Sequence, residues 1–184
     1  MSTLRVNTLQ NTSGGAISGV GRVLQVTYAQ NKDSQSISGN GFNVLSNFTG
    51  SITTTSSSNK VLVRVSMNLA GSSSYYTVSG RLYRGGSHIT AASAADDGNR
   101  PGTFFTVGAQ QWDNYGRYQV TSEYLDSPGS AATHSYTIAL SDQRDAQLIY
   151  VNRGSYAANN SSSPIGTCSI ICMEIAAWLL SCII

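Results

Sequence analysis

The chain has almost no lysine and little charge of either sign. Only Lys32 and Lys60 are present among 184 residues, and charged residues make up 11% of the total, against about 25% in an average soluble domain. The formal net charge of +2 is too small for a nucleic-acid binder that works by neutralising phosphates. Cysteine is equally sparse. Cys168, Cys172 and Cys182 all fall in the last 17 residues, so no disulfide framework can staple the body, and the odd number leaves at least one thiol unpaired. On one strand, Cys168 and Cys172 would lie on the same face roughly 13 Å apart, too far for a bridge. They are expected as buried free thiols, compatible with a reducing, cytosolic folding environment.

Long apolar runs are missing as well. The terminal stretch Ile175 to Ile184 is apolar apart from one Ser, but a membrane helix needs about 20 such residues. The expectation is no membrane insertion and a buried terminal strand with at most one helical turn. No apolar segment follows Arg5 that would form a secretory leader. With two histidines, His88 placed in a loop and His134 at a strand start, no metal-ligand set emerges. Glu123 and Glu174 are the only glutamates, and neither has the neighbours of a glycosidase pair. Asp96-Asp-Gly-Asn99 has the oxygen density of a loose calcium loop without its spaced ligands, so it is expected to be a solvated turn. No nucleophile elbow, phosphate-binding glycine loop or Cys–His pair occurs. No cofactor and no enzymatic activity are expected.

What is abundant is turn-forming and small. Ser, Thr, Gly and Asn number 29, 16, 18 and 13, or 41% of the chain, while 40% is hydrophobic. Residues 1–19 form a polar lead in which Leu4, Val6 and Leu9 are the apolar points of attachment. From Val20 a period of two takes over, which is the strand signature. Val23 to Tyr28 alternates; Phe42 to Thr54 holds one or two shorter strands. Val61, Val63, Val65, Met67 and Leu69 point one way over nine residues, as in a central strand with one face in a core. Further strands are expected at Tyr76–Leu82, Thr103–Gly108, Tyr118–Tyr124, His134–Leu140, Ala146–Asn152 and Cys168–Ile175.

Eight or nine turn-bounded strands without a ten-residue helix favour an all-β, antiparallel β-sandwich, jelly-roll-like, with a short N-terminal extension. Residues 20–177 form the head and 178–184 an apolar tail. Ala146–Val151 and Cys168–Ile175 are apolar on both faces, which calls for a layer beyond the domain's own core. With few lysines to guard sheet edges, a homo-oligomer follows. Arginine and aromatic residues cluster at Arg81, Arg84 and Arg117, beside Tyr83, Tyr115 and Tyr118, with Trp112 in a polar loop. Such residues suit a recognition surface or carbohydrate stacking, and equally a core rim with phenol hydroxyls at its edge.

Several stretches resemble tail-fibre and other virion proteins of marine tailed phages, cyanophages especially. They are Ser2-Thr-Leu-Arg-Val-Asn-Thr-Leu-Gln-Asn-Thr-Ser-Gly-Gly15, Gly21-Arg-Val-Leu-Gln-Val26, Asn59-Lys-Val-Leu-Val-Arg64, Arg81-Leu-Tyr-Arg-Gly-Gly86 and Ile170-Ile-Cys-Met-Glu-Ile175. The resemblance implies a trimer with a β-sandwich head, docked to other virion proteins through residues 1–19. A tail fibre attaching to a host surface glycan or receptor is the leading expectation. A capsid decoration, knob or fibre-adaptor protein and a virion-associated polysaccharide-degrading enzyme are the alternatives. Loops 86–102, 110–116, 126–132 and 153–164 would face the receptor. Trp178 to Ile184 departs from the family ending.

Overall fold

The computed structural model describes residues 22–39, 41–71, 77–108, 117–142, 148–154 and 165–177. The expectations for residues 1–19 (including Leu4, Val6 and Leu9), Trp112, Tyr115, Cys182 and the tail 178–184 fall outside these. Eleven strands occur in chain order: β1 (Val23–Asn31), β2 (Gln35–Ser38), β3 (Asn43–Thr53), β4 (Lys60–Gly71), β5 (Thr77–Arg84), β6 (Ser87–His88), β7 (Phe105–Gly108), β8 (Tyr118–Asp126), β9 (Thr133–Ser141), β10 (Leu148–Val151) and β11 (Cys168–Ile175). A single 3₁₀ turn, Thr90–Ala92, is the one helical element among the described residues.

All pairings are antiparallel. One sheet runs β1-β11-β4-β10-β2 with β8 also on β4; the other runs β3-β9-β5-β6 with β7 also on β5. Several short strands are halves of longer ones. β10 and β11 meet the same edge of β4, at Leu69–Gly71 and Lys60–Ser66. β1 lies along β11 and β2 along β10. β6 and β7 likewise share one edge of β5. Merging the halves leaves eight strands in two sheets of four. Counted along the chain, their orders are 1-8-3-6 and 2-7-4-5, which is the double Greek key of a jelly roll.

The core lies between the sheets. Val61, Val63, Val65, Met67 and Leu69 of β4 are all buried, as their alternation predicts, with Ile149, Val151, Ile170 and Cys172 beside them. Phe48, Ile52, Val78, Leu82, Tyr136, Ile138 and Leu140 close the core from the second sheet. The stretch Phe42–Thr54 proves to be one strand with an irregularity between Val44 and Thr49. There Asn47 adopts φ 57°, a left-handed conformation that Asn tolerates. The register shift lets Leu45 and Phe48, three positions apart, both face inward.

Cys168 and Cys172 are free and buried on β11, as expected. Two expectations need correction. His88 sits in the short strand β6, paired with Tyr83, because the Gly85-Gly86 turn, with φ of 56° and 84°, folds the chain back onto β5. Residues 86–102 are accordingly no plain connection: they hold β6, the 3₁₀ turn and a bridge between Asp97 and Arg100.

Candidate functional site

Two features of the sandwich can act on other molecules: the outer face of the first sheet and a cleft at its side. Strand β1 supplies the first. Gln25, Thr27 and Asn31 turn toward the interior, while Val26 and Tyr28 are 55% and 60% exposed. The apolar members of the alternation therefore point away from the core. The reason lies in Glu174, which occupies an inward position of β11 and has no exposed surface. It accepts hydrogen bonds from Gln25 Nε2 (2.6 Å), Asn59 Nδ2 (2.6 Å), Thr55 N (2.6 Å) and Thr55 Oγ1 (2.8 Å). Burial alone would raise its pKa, but the four donors outweigh it and hold the carboxyl at about 2. Polar partners are thus needed inside at this end, and the apolar residues of β1 and β11 go outside.

Across the outer face they line up. Val26 opposes Met173, Met173 opposes Leu62, and Leu62 opposes Leu125, so one apolar row crosses all four merged strands. The next row runs Tyr28, Ile171, Arg64, Glu123, with Arg64 Nη2 2.9 Å from the Glu123 carboxylate. Leu125 is 46% exposed. The four-strand face measures about 19 Å by 26 Å, or ~500 Å². That is at the size of the largest apolar patch on a typical monomer, about 300–600 Å².

The second feature is a cleft of about 310 Å³ between the β8 edge of the first sheet and the β5–β6 hairpin of the second. Arg84 and Asp126 form its floor, and Tyr124 and Ser127 line the β8 side. Ser87, His88 and the 3₁₀ turn line the other side. Asp126 ends β8 in a buried position, and its Oδ2 accepts from Tyr136 Oη at 2.7 Å and from Arg84 Nη1 at 2.5 Å. Tyr136 is fully buried; burial and then its bond to Asp126 push its pKa well above the ordinary phenol value. Burial works against the charge of Arg84, yet its hydrogen bond and attraction to Asp126 leave its pKa raised. His88 donates or accepts at Ser93 Oγ (3.0 Å); burial, then the Arg81 charge, lower its pKa from 6.5, so it is neutral at pH 7.

The arginine cluster expected as one surface is split. Arg81 and Arg84 are three positions apart on one strand, which places them on opposite faces. Arg81 stacks over the Phe42 ring at 4.1 Å, donates to the Gly102 carbonyl at 2.9 Å and lies 3.5 Å from Asp96. It ties loop 86–102 to the sheet, while Arg84 faces the cleft. Arg117 precedes β8, with Tyr118 half-buried against the core. Asp97 pairs with Arg100, and no group of three or more metal-ligating side chains occurs among the described residues. Glu123 and Glu174 lie on opposite faces of the sheet and share no cleft. Asp126, Tyr124 and Tyr136 were not legible as a site. The turn signal Asp126-Ser-Pro-Gly129 hides the fact that Asp126 is the last inward residue of the alternation Tyr118, Val120, Ser122, Tyr124. Loops 86–102 and 126–132, expected to face a receptor, do meet at this cleft.

Strand order and core together define a jelly-roll β-sandwich. No protein-family model matches the chain, and no curated protein matches it. Among solved structures it is similar to infectious bursal disease virus of the Gt strain, with TM-score 0.41 and 11% identity over 95% of this chain and 43% of that one. A VP2 subviral particle of the same virus gives TM-score 0.38 and 10% identity over 95% and 42%. A family two carbohydrate esterase from Cellvibrio japonicus gives 0.27 and 9% over 84% and 36%. The chain spans less than half the length of each of these. Likeness at this level transfers no function, and the jelly roll rests on this chain's own strand order.

Proposed function

We propose that this chain is a non-enzymatic structural subunit of a virion, assembled from copies of itself through the outer face of the β1-β11-β4-β8 sheet. The observation that carries the reading is the apolar row Val26–Met173–Leu62–Leu125. A second copy is the occupant for two reasons. The face of ~500 Å² is more than half of the ~800 Å² per partner in a standard stable interface. The net charge of +2 opposes self-association only weakly, and Arg64 and Glu123 beside the row offer both signs to a like surface. A trimer in a tail fibre is the form the sequence resemblance supports, with loops turned toward a host surface glycan or receptor. A capsid decoration or fibre adaptor shares this assembly and differs in its place on the particle.

Sedimentation tests the assembly. The intact chain is expected at about three times its 19.5 kDa, and Val26→Asp with Leu125→Asp at about one. Aspartate at exposed strand positions leaves the core intact, so the double variant folds. A wild-type mass of one chain would end the proposal. Antibody labelling of intact particles then decides location: label on capsid faces excludes the tail fibre, and no label on any particle excludes a virion role.

A further inference from the structure

We infer that the cleft between β8 and the β5–β6 hairpin is a binding site for a neutral polyhydroxyl ligand, of the class of a single hexose residue in a glycan. The inference is drawn from the cleft's own atoms and holds whether or not the chain assembles as proposed above.

The volume of about 310 Å³ lies at the small end of the ~300–1,000 Å³ typical of small-molecule sites. Its charge selects against ions. Arg84 and Asp126 cancel each other, and His88 is neutral at pH 7, so neither an anion nor a cation gains from entering. An apolar ligand is disfavoured too, because hydroxyl and charged groups dominate the walls and would lose water without replacement.

What the walls do offer is paired hydrogen-bonding capacity. Asp126 uses Oδ2 for both Tyr136 and Arg84, which leaves Oδ1 as an acceptor. Arg84 spends Nη1 on Asp126, and its side chain is 33% exposed, which leaves the rest of the guanidinium fork as donor. An acceptor and a donor side by side, both fixed by an ion pair, match two adjacent hydroxyls, each of which gives one hydrogen bond and takes another. Tyr136 holds the carboxylate from behind, so the pair is set in place before any ligand arrives and little ordering is needed on binding. Tyr124 adds an aromatic side chain to the wall, suited to the C–H face of a sugar ring.

The test is saturation-transfer NMR on the whole chain with D-glucose, D-galactose and D-mannose as probes, and phosphate and acetate as competitors. Binding of at least one sugar in the millimolar range is expected, undiminished by either anion. Ala91→Trp fills the cleft from an exposed position and should abolish the signal. Arg84→Lys keeps the ion pair but not the fork, and should weaken binding at least tenfold. Backbone amide shifts in the unaltered chain should move at residues 84–91 and 124–127, a readout that survives even if a variant misfolds. Absence of transfer from all three sugars at tens of millimolar would overturn the inference. So would displacement by phosphate or acetate, or equal binding by Ala91→Trp.

Discussion

Acid should weaken this protein through one carboxylate more than through any other described here. Glu174 joins three parts of the chain at one end of the sandwich: Gln25 on β1, its own strand β11, and Thr55 and Asn59 in the turn that carries the chain from the second sheet to the first. Its pKa falls from 4.5 to about 2 on folding. A group whose folded pKa is depressed contributes stability above its unfolded value and loses it as pH drops toward the folded one. The contribution is therefore complete above about pH 5 and largely gone near pH 2. At 1.36 kcal/mol per unit the shift is worth at most about 3.4 kcal/mol, and about 2 kcal/mol after screening by water at the sandwich end. In Glu174→Gln the contribution disappears. The amide must also place an N–H where Gln25 Nε2 donates, and Gln25 cannot turn over freely because the same nitrogen donates to the Thr53 carbonyl. Urea unfolding followed by intrinsic fluorescence would read the effect. With a slope of about 2 kcal/mol per molar, the variant's midpoint should lie about 1 M below wild type at pH 6, and the gap should close by pH 2.5. A gap that stayed constant from pH 6 to pH 2.5 would refute the argument.

Two further outcomes follow from the same packing. At Gly80 an added Cβ would meet the Phe105 ring at 2.2 Å, so Gly80→Ala should cost about 1–3 kcal/mol by overpacking, measured as a lowered thermal midpoint. Burial pushes the Cys168 and Cys172 thiols up to about 11; in a Cys182→Ser background neither should react with a thiol reagent at pH 8 until denaturant is added.

Local alternation was the most legible part of the chain. The nine-residue pattern from Val61 to Leu69 names a central strand because its apolar residues are all on one parity, and burial follows. Strand β1 carries an equally regular pattern with the opposite outcome: Val26 and Tyr28 face out, Gln25 and Thr27 face in. Period two identifies a strand but not its inner face. That choice depended on Glu174, about 150 positions away, whose buried carboxylate demands polar partners. The cleft was illegible for a similar reason. Arg84 was recognisable as a candidate, but Asp126, 42 residues later, becomes its partner only when the two sheets are stacked.

The amino-acid sequence by itself determined that this is an all-β protein of low charge, with no disulfide frame and with more apolar strand surface than one core can use. These are properties of composition and of neighbours one or two residues apart. The tertiary structure alone decided the rest. The jelly-roll order pairs the first strand with the last, Val23 with Ile175, and no local signal carries such a pairing. Closing that sheet set the apolar row on the outside, and stacking the second sheet on it joined Arg84 to Asp126. Both features are made by residues far apart in the chain, and they exist only once the fold has brought them together.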